Sequence, residues 1–275
     1  MRWWRSRIER GRRRFDQLAK CETRKNATMT DLYLDLMEKC LLNTIYEDAP
    51  IDPWTGHKYD PQLRDVGRDW PGQAHTMIGQ KRLHQLREAC EIVIREGITG
   101  DFIETGVWRG GACIMMRAVL KAYRITDRTV WCADSFEGLP QPDAEHYPED
   151  TNDPHHTFIQ LAVSLDQVKS NFVKYGLLDD QVRFLKGWFK DTLPSAPIGT
   201  VAVLRLDGDM YESTMQALDS LYDKVSLRGF VIVDDYGAVP GCQTAIKDFR
   251  AKRNISEPVV NIDWGGIYWR KVHPA

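Results

Sequence analysis

The chain has 275 residues, 43% of them apolar, and a formal net charge of -2 at pH 7, enough to bury one good core with a small addition. Charge so near balance, with no basic stripe interleaved with aromatics in the body, excludes a nucleic-acid-binding field and leaves small-molecule chemistry. No apolar run approaches the roughly 20 residues needed to span a bilayer, and no hydrophobic signal region follows the N-terminal arginines, so no transmembrane segment and a cytoplasmic location are expected.

Residues 1–29 form a basic extension, expected to be flexible, ahead of one domain spanning 30–275. Trp3, Trp4, Ile8 and Phe15 among its arginines are open to two readings, a membrane-surface helix or a solvated tail. A start codon assigned too far upstream belongs with the solvated tail as the blander reading. Leu32, Leu36, Met37, Cys40, Leu41 and Ile45 then recur at helical spacing, predicting an amphipathic helix over 31–46. Residues 47–76, crowded with Pro and Gly, read as a long loop of the kind that serves as a lid. A second helix is expected over 77–96, with Leu83, Leu86, Cys90, Val93 and Ile94 inward and Gly97 ending it.

Strand and helix signals then alternate. Residues 101–105, 129–134, 182–185, 200–206 and 230–233 read as strands, with helices expected over 110–122, 164–175, 211–224 and 243–253 and a closing hairpin over 259–270. This pattern predicts an α/β fold, a doubly wound, mostly parallel Rossmann-like sheet preceded by N-terminal helices and the lid. The six cysteines are widely spaced and read as reduced core thiols.

Acids fall at the carboxyl ends of four strands: Glu104, Asp134, Asp207, and the pair Asp234 and Asp235. In such a sheet those ends share the ligand-binding edge. Glu104-Thr-Gly106-Val-Trp-Arg-Gly110-Gly111 places glycines in the first strand-to-helix turn, but it is not the dinucleotide fingerprint. An acid two residues before the first glycine suits a cationic ammonium group, and Asp134 at the next strand end suits a ribose diol, an arrangement that fits S-adenosylmethionine. Asp207, Asp234 and Asp235 supply hard oxygens in the number typical of Mg2+. Asp209, with Glu212 three residues on, is expected to cap the following helix. His75 lies within possible reach of the pocket, whereas His155 and His156 read as solvated.

At these residues the chain resembles a known family. Ile103-Glu-Thr-Gly-Val-Trp-Arg-Gly-Gly, Asp134-Ser-Phe-Glu-Gly, Leu204-Arg-Leu-Asp-Gly-Asp-Met-Tyr-Glu-Ser-Thr and Val233-Asp-Asp-Tyr are similar to segments of the macrocin-type O-methyltransferases, which methylate sugar hydroxyls in mycinamicin, tylosin and novobiocin biosynthesis. The resemblance runs from about Asp31 to the C-terminus and includes Arg68-Asp-Trp-Pro and Ala74-His-Thr-Met-Ile-Gly. It implies that Glu104, Thr105, Gly106, Val107 and Trp108, then Asp134, Ser135, Phe136, Glu137 and Gly138, then Gly187, Trp188 and Phe189 contact S-adenosylmethionine, with Thr76 and Met77 closing over it. It further implies Mg2+ on Asp207, Asp234 and Asp235, Asp207 as general base, a glycoside acceptor with vicinal hydroxyls, and a homo-oligomer. Met210 stands where the related catechol methyltransferases carry a lysine. A catechol-type phenol methyltransferase and a non-catalytic cofactor-binding module are the rival readings.

Overall fold

The computed structural model describes residues 27–274, and the basic extension up to residue 26, with Cys21, lies outside the described residues. Helix α1 (Met29–Leu41) begins at a capping box in which Thr28 and Asp31 exchange side-chain-to-backbone hydrogen bonds. It buries Leu34, Met37 and Leu41, while Leu32 and Leu36, expected to point inward, are half exposed. The helix carries apolar residues on two faces, and only one of them packs on the domain.

Residues 47–76 contain a single short helix, α2 (Pro61–Asp65), and a bridge between Pro50 and Pro71. Buried Arg64 pins this segment, donating to Asp69 at 2.8 Å, to Asp48 at 3.0 Å and to the Leu42 carbonyl at 2.9 Å. Helix α3 (Gly79–Arg95) buries Leu83, Leu86, Cys90 and Val93 and is followed by Gly97 at φ 63°.

The alternation then follows the expected order: β1 (Asp101–Thr105), α4 (Gly111–Ala122), β2 (Val130–Asp134), α5 (Leu165–Lys174), β3 (Val182–Lys186), α6 (Phe189–Thr192), β4 (Val201–Leu206), α7 (Tyr211–Leu221), β5 (Val225–Val233), α8 (Pro240–Lys252), β6 (Val260–Asn261) and β7 (Ile267–Arg270). The strands form one sheet in the order β3-β2-β1-β4-β5-β7-β6. Strands β1 to β5 are parallel, and β7 is antiparallel to both β5 and β6. The fold is thus the doubly wound, mostly parallel sheet read from the sequence. Alternate strand residues feed two apolar layers: Phe102, Cys132 and Phe230 pack with α1, α3, α4 and α5, whereas Ile103, Trp131 and Val231 pack with α7 and α8.

Several boundaries differ from expectation, and helix α1 ends at Leu41, five residues short of the expected 46. Strand β5 starts at Val225, five residues early, because polar Ser226 and Arg228 hide its beginning. Helix α8 starts at Pro240, which fits the first helical position, where no backbone N–H is required. The five described cysteines are unpaired, and four of them are buried. No helix among the described residues is long and apolar enough to cross a membrane.

Candidate active site

Strands β1 and β4 lie side by side while their helices leave on opposite faces, which opens a crevice at their carboxyl ends. A cleft of about 350 Å³ occupies that position. Glu104, Gly106, Val107, Trp108, Asp134, Ser135, Gly138, Gly187, Trp188, Phe189, Asp207, Asp234 and Asp235 line it, with Thr76 and Met77 on the side of the 47–76 segment. The glycine turn is needed first for contacts within the chain. A Cβ on Gly106 would overlap the Asp207 carbonyl oxygen, and one on Gly111 would overlap the His75 carbonyl oxygen. These glycines therefore bring the β1 end against the β4 end, and α4 against the segment carrying Thr76.

The strand-end acids are organised by two buried arginines that sequence reasoning missed. Parallel register places Glu104 directly beside Arg205. Arg205 is 1% exposed and binds Glu104, Asp234 and, at 2.6 Å, Asp207. Arg82, from α3, binds the other oxygen of Asp234 and, at 3.1 Å, Asp263. The Cys113 thiol donates to the second Glu104 oxygen at 2.9 Å. One signal for Arg205 was present in the sequence, a lone cation inside the apolar run Val201-Ala-Val-Leu-Arg-Leu.

Even so, the carboxylates outnumber their cations. Among the described residues, Arg82 and Arg205 are the buried cations bound to Glu104, Asp207 and Asp234, Asp209 and Asp235 form no ion pair, and Lys190 and His155 also line the cleft. Burial raises the pKa of Glu104 to about 7, against the opposing pull of Arg205. Burial likewise raises Asp207 to about 6, with Arg205 opposing and Asp234 reinforcing. Asp235 is pushed well above the usual carboxylate range by burial and by the charges of Asp209, Asp207 and Asp234. Oxygens of Asp207, Asp234 and Asp235 all lie within 4.8 Å of one another. An all-oxygen set carrying excess negative charge fits a hard divalent cation. Both Asp234 oxygens already accept from arginines, so Asp207 and Asp235 offer the less engaged lone pairs.

Asp134 lines the cleft, but its carboxylate is busy within the chain. It accepts from the amides of Val107 and Phe136, each at 2.6 Å, and so ties the β1 turn to the β2 turn. A ribose diol would have to share these oxygens. Thr105, Phe136 and Glu137 stand apart from the cleft. Thr105 is buried within the sheet, Phe136 packs edge-on against Phe184, and Glu137 points to the surface, where it meets Lys186 at 3.4 Å.

The expected cap at Asp209 is not formed. Met210 holds the N-cap position, and the amides of Tyr211 and Glu212 donate instead to Asp150, at 2.7 and 3.0 Å. Asp150 comes from the loop after β2, a long-range partner that local spacing could not reveal. Asp150→Ala is expected to lower stability by roughly 1–2 kcal/mol, the cost of a lost helix cap, read as a shift in denaturation midpoint. An unchanged midpoint would mean that solvent caps α7 equally well.

Released from capping, Asp209 faces the cleft in the left-handed region at φ 57°, its pKa raised to about 7 by burial with His155 opposing. His155, expected in solvent, also lines the cleft, and Asp153 holds its Nδ1 at 2.7 Å. His75 reaches the cleft as well, hydrogen-bonded to the Tyr175 hydroxyl at 2.7 Å, and burial lowers its pKa to about 4. His156 stays exposed. Trp108 and Phe136 share the left-handed conformation with Asp209, so strained non-glycine backbone gathers at three strand-end turns of this edge.

Comparison with known proteins agrees with this architecture. The chain is 52% identical over 246 residues to demethyldecarbamoylnovobiocin O-methyltransferase of Streptomyces niveus, covering 88% of this chain and 94% of the relative. It is 54% identical over 242 residues to the 8-demethyl-8-(2,3-dimethoxy-alpha-L-rhamnosyl)-tetracenomycin-C 4'-O-methyltransferase of Streptomyces olivaceus, covering 87% of this chain and 92% of the relative. The solved structure of the O-methyltransferase NovP superposes with a TM-score of 0.85 at 52% identity, covering 89% of this chain and 100% of that one. The pattern of the macrocin-O-methyltransferase (TylF) family matches residues 49–271, and with relatives this similar along nearly their whole length the chain belongs to that family and is a methyltransferase enzyme.

Proposed function

We propose that the protein uses S-adenosylmethionine and Mg2+ to methylate a hydroxyl of a sugar within a glycosylated natural product. The observation that supports this most is the convergence of Asp207, Asp234 and Asp235 in a cleft whose carboxylates exceed their buried cations. That excess suits a sulfonium cofactor together with a divalent ion. The relatives add the acceptor class, since the name of the tetracenomycin enzyme describes methyl transfer to a rhamnosyl compound.

S-adenosylmethionine, when bound, supplies the methyl group. A magnesium ion held by Asp207, Asp234 and Asp235, when bound, lowers the cost of negative charge on an acceptor oxygen. The chain's own residues do the rest. Asp207, the most exposed of the three aspartates, takes the proton of the acceptor hydroxyl. Arg205 fixes that carboxylate at 2.6 Å and links it to Glu104 on the cofactor side, so both halves of the cleft share one rigid counterion. The Asp134 bridge between the β1 and β2 turns shapes the cofactor side, and Thr76 and Met77 close it. An oxygen next to the reacting hydroxyl would orient the acceptor; in the tetracenomycin relative, whose name places its 4' site on a 2,3-dimethoxy rhamnose, that neighbour is an ether.

Incubation with S-adenosylmethionine, Mg2+ and a panel of rhamnosides and related glycosides, followed by mass spectrometry, tests the reading. Sugar-methylated product is expected, exhaustive chelation should abolish it, and added Mg2+ should restore it. Full activity in metal-free enzyme would remove the ion from the mechanism. Methylation of catechols with none of the glycosides would overturn the acceptor class.

A further inference from the structure

We infer that the mouth of the cleft is a docking site for the aglycone, a flat apolar ring system seated on the indoles of Trp54 and Trp264. The inference rests on the glycoside reading above and adds a second subsite to it. Both tryptophans line the cleft, yet they remain 54% and 39% exposed. Single exposed apolar side chains are ordinary. These two are exposed and also anchored. Trp54 donates its indole N–H to the Arg68 carbonyl at 3.2 Å, and Trp264 donates its own to the Val66 carbonyl at 2.6 Å. The two acceptors flank Gly67, itself a cleft residue. Indoles from distant parts of the chain are therefore fixed to one short span of backbone, with part of each ring surface left to solvent.

The rings are also tied to the reactive end. Arg82, which holds Asp234, lies 5.6 Å from the Trp264 ring centroid, and Arg68 covers the same ring at 4.5 Å. Trp54 meets Trp70 edge-on at 4.8 Å, Trp70 meets Phe158 at 5.2 Å, and Phe158 meets His155 at 6.1 Å. A chain of aromatic contacts thus runs from Trp54 to the loop carrying His155, and Trp54, Trp70 and His155 all line the cleft that holds the aspartates.

Size places the aglycone there. A cleft of about 350 Å³ is at the small end for ligand sites, which span roughly 300–1,000 Å³, and it has a cofactor and a sugar to hold. Whatever the sugar is attached to is left the mouth of the cleft, against the rim that Trp54 and Trp264 form. Rings already locked in place bind a flat partner with little loss of side-chain freedom, so their contribution goes into affinity.

The test uses two probes with one sugar, 4-methylumbelliferyl α-L-rhamnoside and methyl α-L-rhamnoside, titrated calorimetrically into the full chain with S-adenosylhomocysteine and Mg2+. The aryl glycoside should bind about 10-fold tighter or more. Trp54→Ala and Trp264→Ala should each shrink that ratio, and Trp264→Phe, which keeps a flat ring, should retain part of it. Thermal melts check that the variants fold. Equal affinity for the two probes, binding of neither, or a ratio unchanged in both alanine variants overturns the subsite. Turnover assays on the same pair separate the two proposals: an aryl preference in binding without methylation of either sugar keeps the subsite and sinks the sugar-methylation reading, whereas methylation without any aryl preference does the reverse.

Discussion

Asp207→Asn is expected to lower kcat by at least about 10²-fold, the contribution typical of a positioned general base, while the protein remains folded. The substitution keeps the side-chain shape and an oxygen for Arg205, so the ion-pair network keeps its geometry. What disappears is the proton acceptor at the one triad carboxylate with substantial exposure to the cleft, 24% against 5% for Asp234. The same change removes one negative charge from the oxygen set around which Mg2+ would sit, so lost turnover alone would not separate the two roles. Magnesium titration does. If kcat stays low at saturating Mg2+, Asp207 acts on the proton; if it returns to the wild-type level, Asp207 is a ligand only and the base lies elsewhere. Asp235→Asn provides the contrast, since it should weaken Mg2+ binding and recover most of its turnover when the ion is supplied in excess.

Much of this site could be read before the structure, and what escaped did so for identifiable reasons. Glu104, Asp207, Asp234 and Asp235 each end an apolar run, and a parallel sheet brings such ends to one edge whatever the details of packing. That logic needs only strand periodicity, and it held even where β5 proved longer than expected. Partners were less legible. Asp209 followed by Glu212 satisfied the local rule for a helix cap, but the amides of α7 found Asp150, about 60 residues away. Once that long-range partner is in place, Asp209 is free to face the cleft. His155 misled in the same way: a polar loop suggested solvent, yet the loop folds back over the pocket. Thr105 and Glu137 fell inside motifs that reach the site, but a strand's two-residue alternation and a turn's outward bend carry their side chains elsewhere. Arg205 was the most informative residue to be passed over. A cation in a strand buried on both faces requires anionic partners, and the neighbouring strand end already offered Glu104.

Arg205 also carries the largest expected effect on stability. Arg205→Met keeps the side chain's length and approximate volume while removing the only cation that touches Glu104, Asp207 and Asp234 together among the described residues. Removing one partner from a buried ion pair leaves uncompensated charge and typically costs about 3–5 kcal/mol, a large share of the 5–15 kcal/mol that holds an ordinary domain together. Denaturant midpoints at constant m-value would report the loss. Its pH dependence has a definite sign. Burial already raises Glu104 to about 7 in the presence of Arg205, whose charge opposes the rise, so without the guanidinium the folded-state value moves higher still. A carboxylate raised on folding favours the native state fully only below its unfolded value, and that contribution is lost as pH climbs through the folded value. The deficit of the variant relative to wild type should therefore be larger at pH 8 than at pH 5. A deficit below about 1 kcal/mol, the scale of an exposed pair, or one that is the same at both pH values, would show that Glu104 and Asp234 find other partners once Arg205 is gone.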